Sequence, residues 1–185
     1  ICLALESAWF PPPDGHALMS GAEKARHLST FISRLWKEEA TPASQQTLDR
    51  ALAFASEREA AHSDDDCALV HGDCHAMNTL RTLASDDDAP VYKFVDPDGL
   101  WAEPAYDLGI LMRDDNDSLV KGDTIANGIA RCQLLADLSG CTERAIWQWG
   151  FVERVSTGLH LIEIGQRDWG LTSLDVAEQW HALNP

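Results

Sequence analysis

The chain has 185 residues, with 30 acidic side chains against 14 basic ones and a formal net charge of −16. That length suits one domain with a core of its own, and 45% apolar residues with seven Trp exclude a disordered acidic tail. A charge this negative also excludes a phosphate-backbone binder, which needs a basic stripe. It leaves room for Mg²⁺ or a cationic small molecule, with a solvated acidic surface as the plain alternative.

The chain opens on Ile1-Cys2-Leu3-Ala4-Leu5 with no initiator Met, so it is expected to be part of a longer polypeptide. No cationic segment marks a secretory signal, and no apolar run approaches the length of a membrane span. The five cysteines are odd in number and form no CxxC pair. That usage fits a reduced cytoplasm, where Cys serves mainly as a small hydrophobe.

Residues 1–9 read as a short amphipathic helix stopped by Pro11-Pro12-Pro13, followed by a turn at Asp14-Gly15. From Gly21 to Glu39, Ala25, Leu28, Phe31, Ile32, Leu35 and Trp36 recur at helical spacing. Thr41-Pro42 reads as cap and first-turn proline of the next helix, with Leu48, Ala51, Leu52 and Ala55 as its buried stripe. An apolar run, Cys67 to Val70, ends at His71-Gly72-Asp73. Thr79–Leu83 and Val91–Val95 then read as two strands joined through Ser85–Asp88. Helical patterns resume over Pro104–Met112, over 123–138 ending at Gly140, over 143–165 behind a Thr142 cap, and from Thr172 to Leu183. The expected fold is mainly α with a small β-hairpin in its middle, one unit over 1–185.

The hairpin carries the polar residues that need explaining. An apolar strand delivers Asp73 into a loop, Asn78 returns five residues later, and Asp96 leaves the end of the second strand. Asn78 and Asp96 on one rim offer hard oxygens that suit Mg²⁺, and Asp73 beside them offers a carboxylate able to accept a proton. That pattern matches phosphoryl transfer, in which a loop Asp orients the acceptor hydroxyl while Asn and a second Asp hold the metal.

His71-Gly72-Asp73 with Asn78, then Val95-Asp96, then Glu103-Pro104-Ala105-Tyr106-Asp107-Leu108-Gly109, resembles the aminoglycoside phosphotransferase family. The likeness points to the branch with streptomycin and hydroxyurea phosphotransferases, and to antibiotic resistance as the setting. It implies a protein-kinase-like fold, with Asp73 as catalytic base and Asn78 and Asp96 as Mg²⁺ ligands toward ATP. It also implies that His71 supports the loop and that Asp107 hydrogen-bonds the loop backbone. Gly72 stands where protein kinases usually carry Arg, and only seven residues separate Asp96 from Pro104. Both favour a small hydroxyl-bearing acceptor, a cationic one included, over a peptide.

No glycine-rich loop and no strand-borne Lys paired to a helix Glu can be found, so the nucleotide-binding N-terminal lobe is expected to be absent from these 185 residues. Without it, the chain alone is expected to be inactive. Apolar surface beside the hairpin would then be open to self-association. A non-catalytic kinase-like regulatory module and a metal-dependent phosphohydrolase built on the His/Asp cluster remain the alternatives. Asp98 before Gly99 reads as a turn former ahead of a metal or substrate role. His71, Asp73, Cys74 and His75 lack distant partners for a zinc site, and His75 and Met77 read as packing before cleft lining. Trp147, Trp149 and the stripe Phe151, Val155, Leu159 and Ile162 read as core or partner-facing surface before a ligand cage. Asp114, Asp115 and Asp117 read as a solvated face more readily than as a polyamine site.

Overall fold

The computed structural model describes residues 2–12, 15, 17–39, 43–82 and 92–185. Eight helices and five short strands are found among them: α1 Cys2–Glu6, β1 Met19–Ser20, α2 Gly21–Glu38, α3 Gln45–Ala60, β2 Ala68–Val70, β3 Thr79–Arg81, β4 Tyr92–Phe94, β5 Leu100–Ala102, α4 Ala105–Arg113, α5 Asn116–Leu119, α6 Thr124–Ser139, α7 Glu143–Glu163 and α8 Arg167–Trp180. The architecture is mainly α with small sheets. None of the helices is long and apolar enough to cross a membrane, among the described residues.

Helix α7 is the centre of the core. Its residues from Ala145 to Ser156 are buried without interruption, the pattern of a helix covered on all sides. Helices α2, α3, α4 and α8 pack around it. The α4–α7 crossing is close because each helix presents a glycine there. A Cβ on Gly109 would lie 2.5 Å from the Trp149 Cβ, and one on Gly150 would lie 2.4 Å from the Met112 Cβ. Backbone meets backbone, and α4 is thereby fixed against the most buried element of the protein.

The strands form two sheets rather than one hairpin. The hairpin β3–β4 is antiparallel with Thr79 opposite Phe94. A second sheet runs β1-β5-β2, with β2 antiparallel and β1 parallel to β5. Strands β1 and β5, of two and three residues, are too short to show alternation in sequence and lack the longer apolar run that flanks β4.

Helix boundaries follow local caps where these exist. Ser20 and Glu23 form a reciprocal capping box at the start of α2, Thr142 accepts the Ala145 N–H at the start of α7, and Gly140 closes α6 at φ 72°. Several boundaries differ from expectation, and α1 ends at Glu6 rather than near residue 9. Helix α3 begins at Gln45 behind Ser44, while Thr41 and Pro42 lie outside the described residues. Helix α8 begins at Arg167 instead of Thr172, and the one-turn α5 was not anticipated. Pro13, Asp14 and the connection Ser85–Asp88 also lie outside the described residues.

Candidate active site

The segment 71–76 lies along α4, and contacts from both ends of that helix hold it. At the first turn, the Asp107 carboxylate accepts the His71 N–H on Oδ2 at 2.9 Å and the Gly72 N–H on Oδ1 at 2.8 Å. The Trp9 indole N–H adds a third bond to Oδ2 at 3.0 Å, tying the N-terminal segment to the same point. Asp107 is fully buried. Burial raises its pKa above the ordinary carboxylate value, outweighing the bonds from Gly72, Trp9 and His71 that favour the charged form. Farther along, Cys74 donates its thiol to the Asp107 carbonyl at 3.1 Å, and the Ala76 N–H reaches Asp114 Oδ2 at 3.3 Å.

His71 is an internal brace. Its Nδ1 accepts the Asp73 N–H at 3.2 Å, so Nε2 carries the hydrogen and donates to the Val95 carbonyl at 3.0 Å. Its carbonyl accepts the Gly99 N–H at 3.1 Å, and its ring rests against Phe94 with centroids 5.4 Å apart. The side chain thus joins the loop to the exit of β4. Gly72 adopts φ 87°, and a Cβ there would lie 2.9 Å from the Asp98 Cβ. Backbone conformation and crowding together leave no room for a larger side chain at this position.

Asp73, Asn78 and Asp96 are brought to one end of the hairpin. Asn78 donates through Nδ2 to the Asp73 carbonyl at 3.0 Å and to Asp73 Oδ2 at 3.4 Å, which turns its amide oxygen away from the loop. The Asn78 carbonyl accepts the Val95 N–H at 2.9 Å, so Asp96 is the next residue along the facing strand. Asp96 takes φ 58°, the left-handed region, and is exposed. A non-glycine residue in that region stores strain and belongs to a constrained turn. Asp98 is exposed just beyond it.

Among the described residues nothing bonds the Asn78 amide oxygen or the Asp96 carboxylate, and both are hard donors that fit Mg²⁺, an ion that keeps several waters and needs few protein ligands. Among the described residues no group of three His, Cys, Asp or Glu side chains gathers as a metal set. The zinc alternative finds no support in the geometry: Cys74 is buried against Asp107, and both ring nitrogens of His71 are occupied inside the loop.

Three residues join the site that spacing did not reveal. Arg113, the last residue of α4, places Nη2 3.0 Å from Asp73 Oδ1. His75 places Nε2 3.2 Å from Asp73 Oδ2 while its Nδ1 accepts the Met77 N–H. Behind Arg113 stands Glu153 of α7, its Oε2 3.7 Å from Nη1, and the Tyr106 hydroxyl donates to Glu153 Oε1. A basic residue at the end of a helix is ordinary in sequence, so nothing marked Arg113 as special.

An open cavity of about 730 Å³ adjoins this cluster. Asp73, His75 and Arg113 line it together with Asp114, Asp115 and Asp117, and α7 and α8 contribute Thr157, His160, Asp168 and Trp169. Trp169 is 72% exposed. Part of the acidic wall is held in place from within: Asp115 caps α5 by accepting the Ser118 N–H, and Arg131 bonds the Asp114 and Asp115 carbonyls.

No protein-family model, curated protein or solved structure matches the chain.

Proposed function

We propose that these residues form the catalytic-loop and acceptor-binding half of an ATP-dependent small-molecule O-phosphotransferase with a kinase-like C-terminal lobe. The observation that carries the reading is the convergence of Asp73, Asn78 and Asp96 at one end of the hairpin, beside an acidic cavity large enough for a small molecule. Mg²⁺ held by Asn78 and Asp96 would neutralise charge on the ATP phosphates. The chain's own residues do the rest. The cavity orients the acceptor, and its hydroxyl gives its proton to Asp73 as the new P–O bond forms and the bond to the ADP oxygen breaks.

The acidic wall favours an acceptor that carries positive charge. The strand register supports a place for the nucleotide ring. Leu80 lies opposite Lys93 on the face of the hairpin away from Phe94, and Leu80 and Val95 are exposed there. Apolar side chains next to hard metal donors suit a flat base followed by phosphates. The glycine-rich loop and paired lysine would come from sequence outside these 185 residues, and the 185 residues alone would transfer nothing.

The test is ATP turnover by the full-length gene product with a panel of hydroxyl compounds. Asp73→Asn is expected to lower kcat by about 10²-fold or more, with KM for ATP little changed. Undiminished turnover in that variant would remove Asp73 as the base.

A further inference from the structure

We infer that Arg113 is the positioning residue that reserves Asp73 for proton transfer and leaves the divalent cation to Asn78 and Asp96. The inference rests on the reading of the loop proposed above. Two carboxylates flank Asn78, and carboxylate chemistry alone does not decide which takes a proton and which takes a metal.

Their surroundings divide them. Asp73 is engaged on both oxygens: Oδ1 by Arg113 at 3.0 Å, Oδ2 by His75 at 3.2 Å and Asn78 at 3.4 Å. Asp96 is exposed, and no described side chain or backbone group donates to its carboxylate. A cation approaching Asp73 must therefore displace or face a guanidinium, whereas among the described residues none holds the Asp96 carboxylate.

The guanidinium is not easily displaced. The Arg113 side chain is 14% exposed and Glu153 behind it 6% exposed. Glu153 itself is fixed by the Tyr106 hydroxyl. Burial works against the Arg113 charge, but Glu153 and Asp73 outweigh it and raise its pKa. Tyr106 near the start of α4, Glu153 on α7 and Arg113 at the end of α4 thus form a rigid chain that ends on Asp73 Oδ1. Oδ2 is left as the proton acceptor. Its neighbours are a long bond from Asn78 and the partly exposed His75 ring 3.2 Å away, both of which an incoming hydroxyl can replace.

The test is Mn²⁺ binding to the chain, read as free Mn²⁺ by electron paramagnetic resonance, with no turnover required. Asp96→Asn is expected to weaken binding about tenfold, and Asp73→Asn to leave it within about twofold, because Asp73 gives the metal nothing. Arg113→Met frees Oδ1 and is expected to tighten binding about fivefold. Adding Asp73→Asn should cancel that gain, as a double-mutant cycle requires. Arg113→Lys keeps the charge and should stay near the unsubstituted chain.

If Asp96→Asn has no effect, the reading of the loop falls. If Asp96→Asn weakens binding but Asp73→Asn weakens it equally, or Arg113→Met leaves it unchanged, the role of Arg113 falls alone. Should Arg113→Met not fold, Asp73→Asn in the otherwise unchanged chain decides by itself: loss of Mn²⁺ affinity overturns the inference, and retention upholds it.

Discussion

The Asp107 carboxylate holds the Gly72 N–H at 2.8 Å, so a buried side chain in the first turn of α4 sets the backbone one residue before Asp73. The same helix ends on Arg113, which holds the Asp73 side chain itself. One nine-residue helix therefore fixes both the path of the loop and the direction of its carboxylate. Because α4 is locked to α7 at Gly109 and Gly150, the rigidity of the core is passed directly to the loop.

Asp107→Asn tests this support. The amide keeps the size but replaces an acceptor by a donor facing N–H groups, and one unsatisfied buried group costs about 1–3 kcal/mol. The pH dependence has a definite sign. With the folded pKa raised above its ordinary value of 3.8, the contribution of Asp107 is full below that value and is lost as pH rises through the folded pKa. The stability gap between the parent chain and Asp107→Asn, read by urea denaturation, is expected to be widest at the acid end and to narrow toward pH 7. A gap that widens toward neutrality would mean that the loop bonds, not burial, dominate the carboxylate.

Much of the fold was legible because its signals are local. Thr142 and Gly140 mark helix ends by chemistry within one turn, and the structure places them there. Boundaries were missed where distant residues decide. Glu178 of α8 accepts the Ser44 N–H at 3.0 Å and the Thr47 hydroxyl at 2.7 Å, so α3 starts at a point set by a side chain 134 residues away. Helix α8 starts five residues before Thr172 and runs through Gly170, where the α7 backbone comes so close that a Cβ would lie 2.5 Å from the Gly158 carbonyl oxygen. In the site, Asp73, Asn78 and Asp96 stand at motif spacing, whereas Arg113, His75 and Trp169 reach the cavity only through the packing of α4, α7 and α8.

Gly72→Ala is expected to damage the loop twice over. The residue would hold φ 87° with a side chain, at a cost of about 1–2 kcal/mol, and its Cβ would sit 2.9 Å from that of Asp98. Thermal denaturation should show a lower Tm, and Mn²⁺ affinity should fall as Asp96 and Asp98 are pushed away. Adding Asp98→Gly should restore part of the stability by removing the clash while leaving the backbone strain. A Gly72→Ala chain with unchanged Tm would mean that the turn can flatten freely.

Arg154 clamps the far end of α4. It is fully buried, donates to the Met112 and Arg113 carbonyls at 2.6 and 2.9 Å and to the Asn116 amide oxygen, and stacks over Trp180 at 4.9 Å. Burial, with Arg131 and Arg113 nearby, pushes its pKa down to about 9, so it remains charged at neutral pH. Arg154→Met would strand those acceptors, and a loss of about 2 kcal/mol is expected. Hydrogen exchange at residues 113–117 should quicken more than exchange in α2. Uniform acceleration across the chain would make Arg154 a general core residue rather than a clamp on the cavity wall.

Trp169 offers a direct reading of the cavity's field. Trp36, Trp147, Trp149 and Trp180 are buried, while Trp9 and Trp101 are half-buried with their indole N–H groups bonded to Asp107 and Asp64. Solvent quenchers therefore act mainly on Trp169, which shares its cavity with Asp114, Asp115, Asp117 and Asp168. An acidic field concentrates cations and excludes anions. Cs⁺ is expected to quench more strongly than iodide once each is scaled to free tryptophan amide, and Trp169→Phe should remove most of the effect. Raising the salt from about 0.1 M to about 1 M shortens the screening length from about 10 to about 3 Å, and the difference between the two quenchers should close. Equal quenching at low salt would mean that Arg113, Arg131 and Arg154 already neutralise the wall, and the preference for a positively charged acceptor would fall with it.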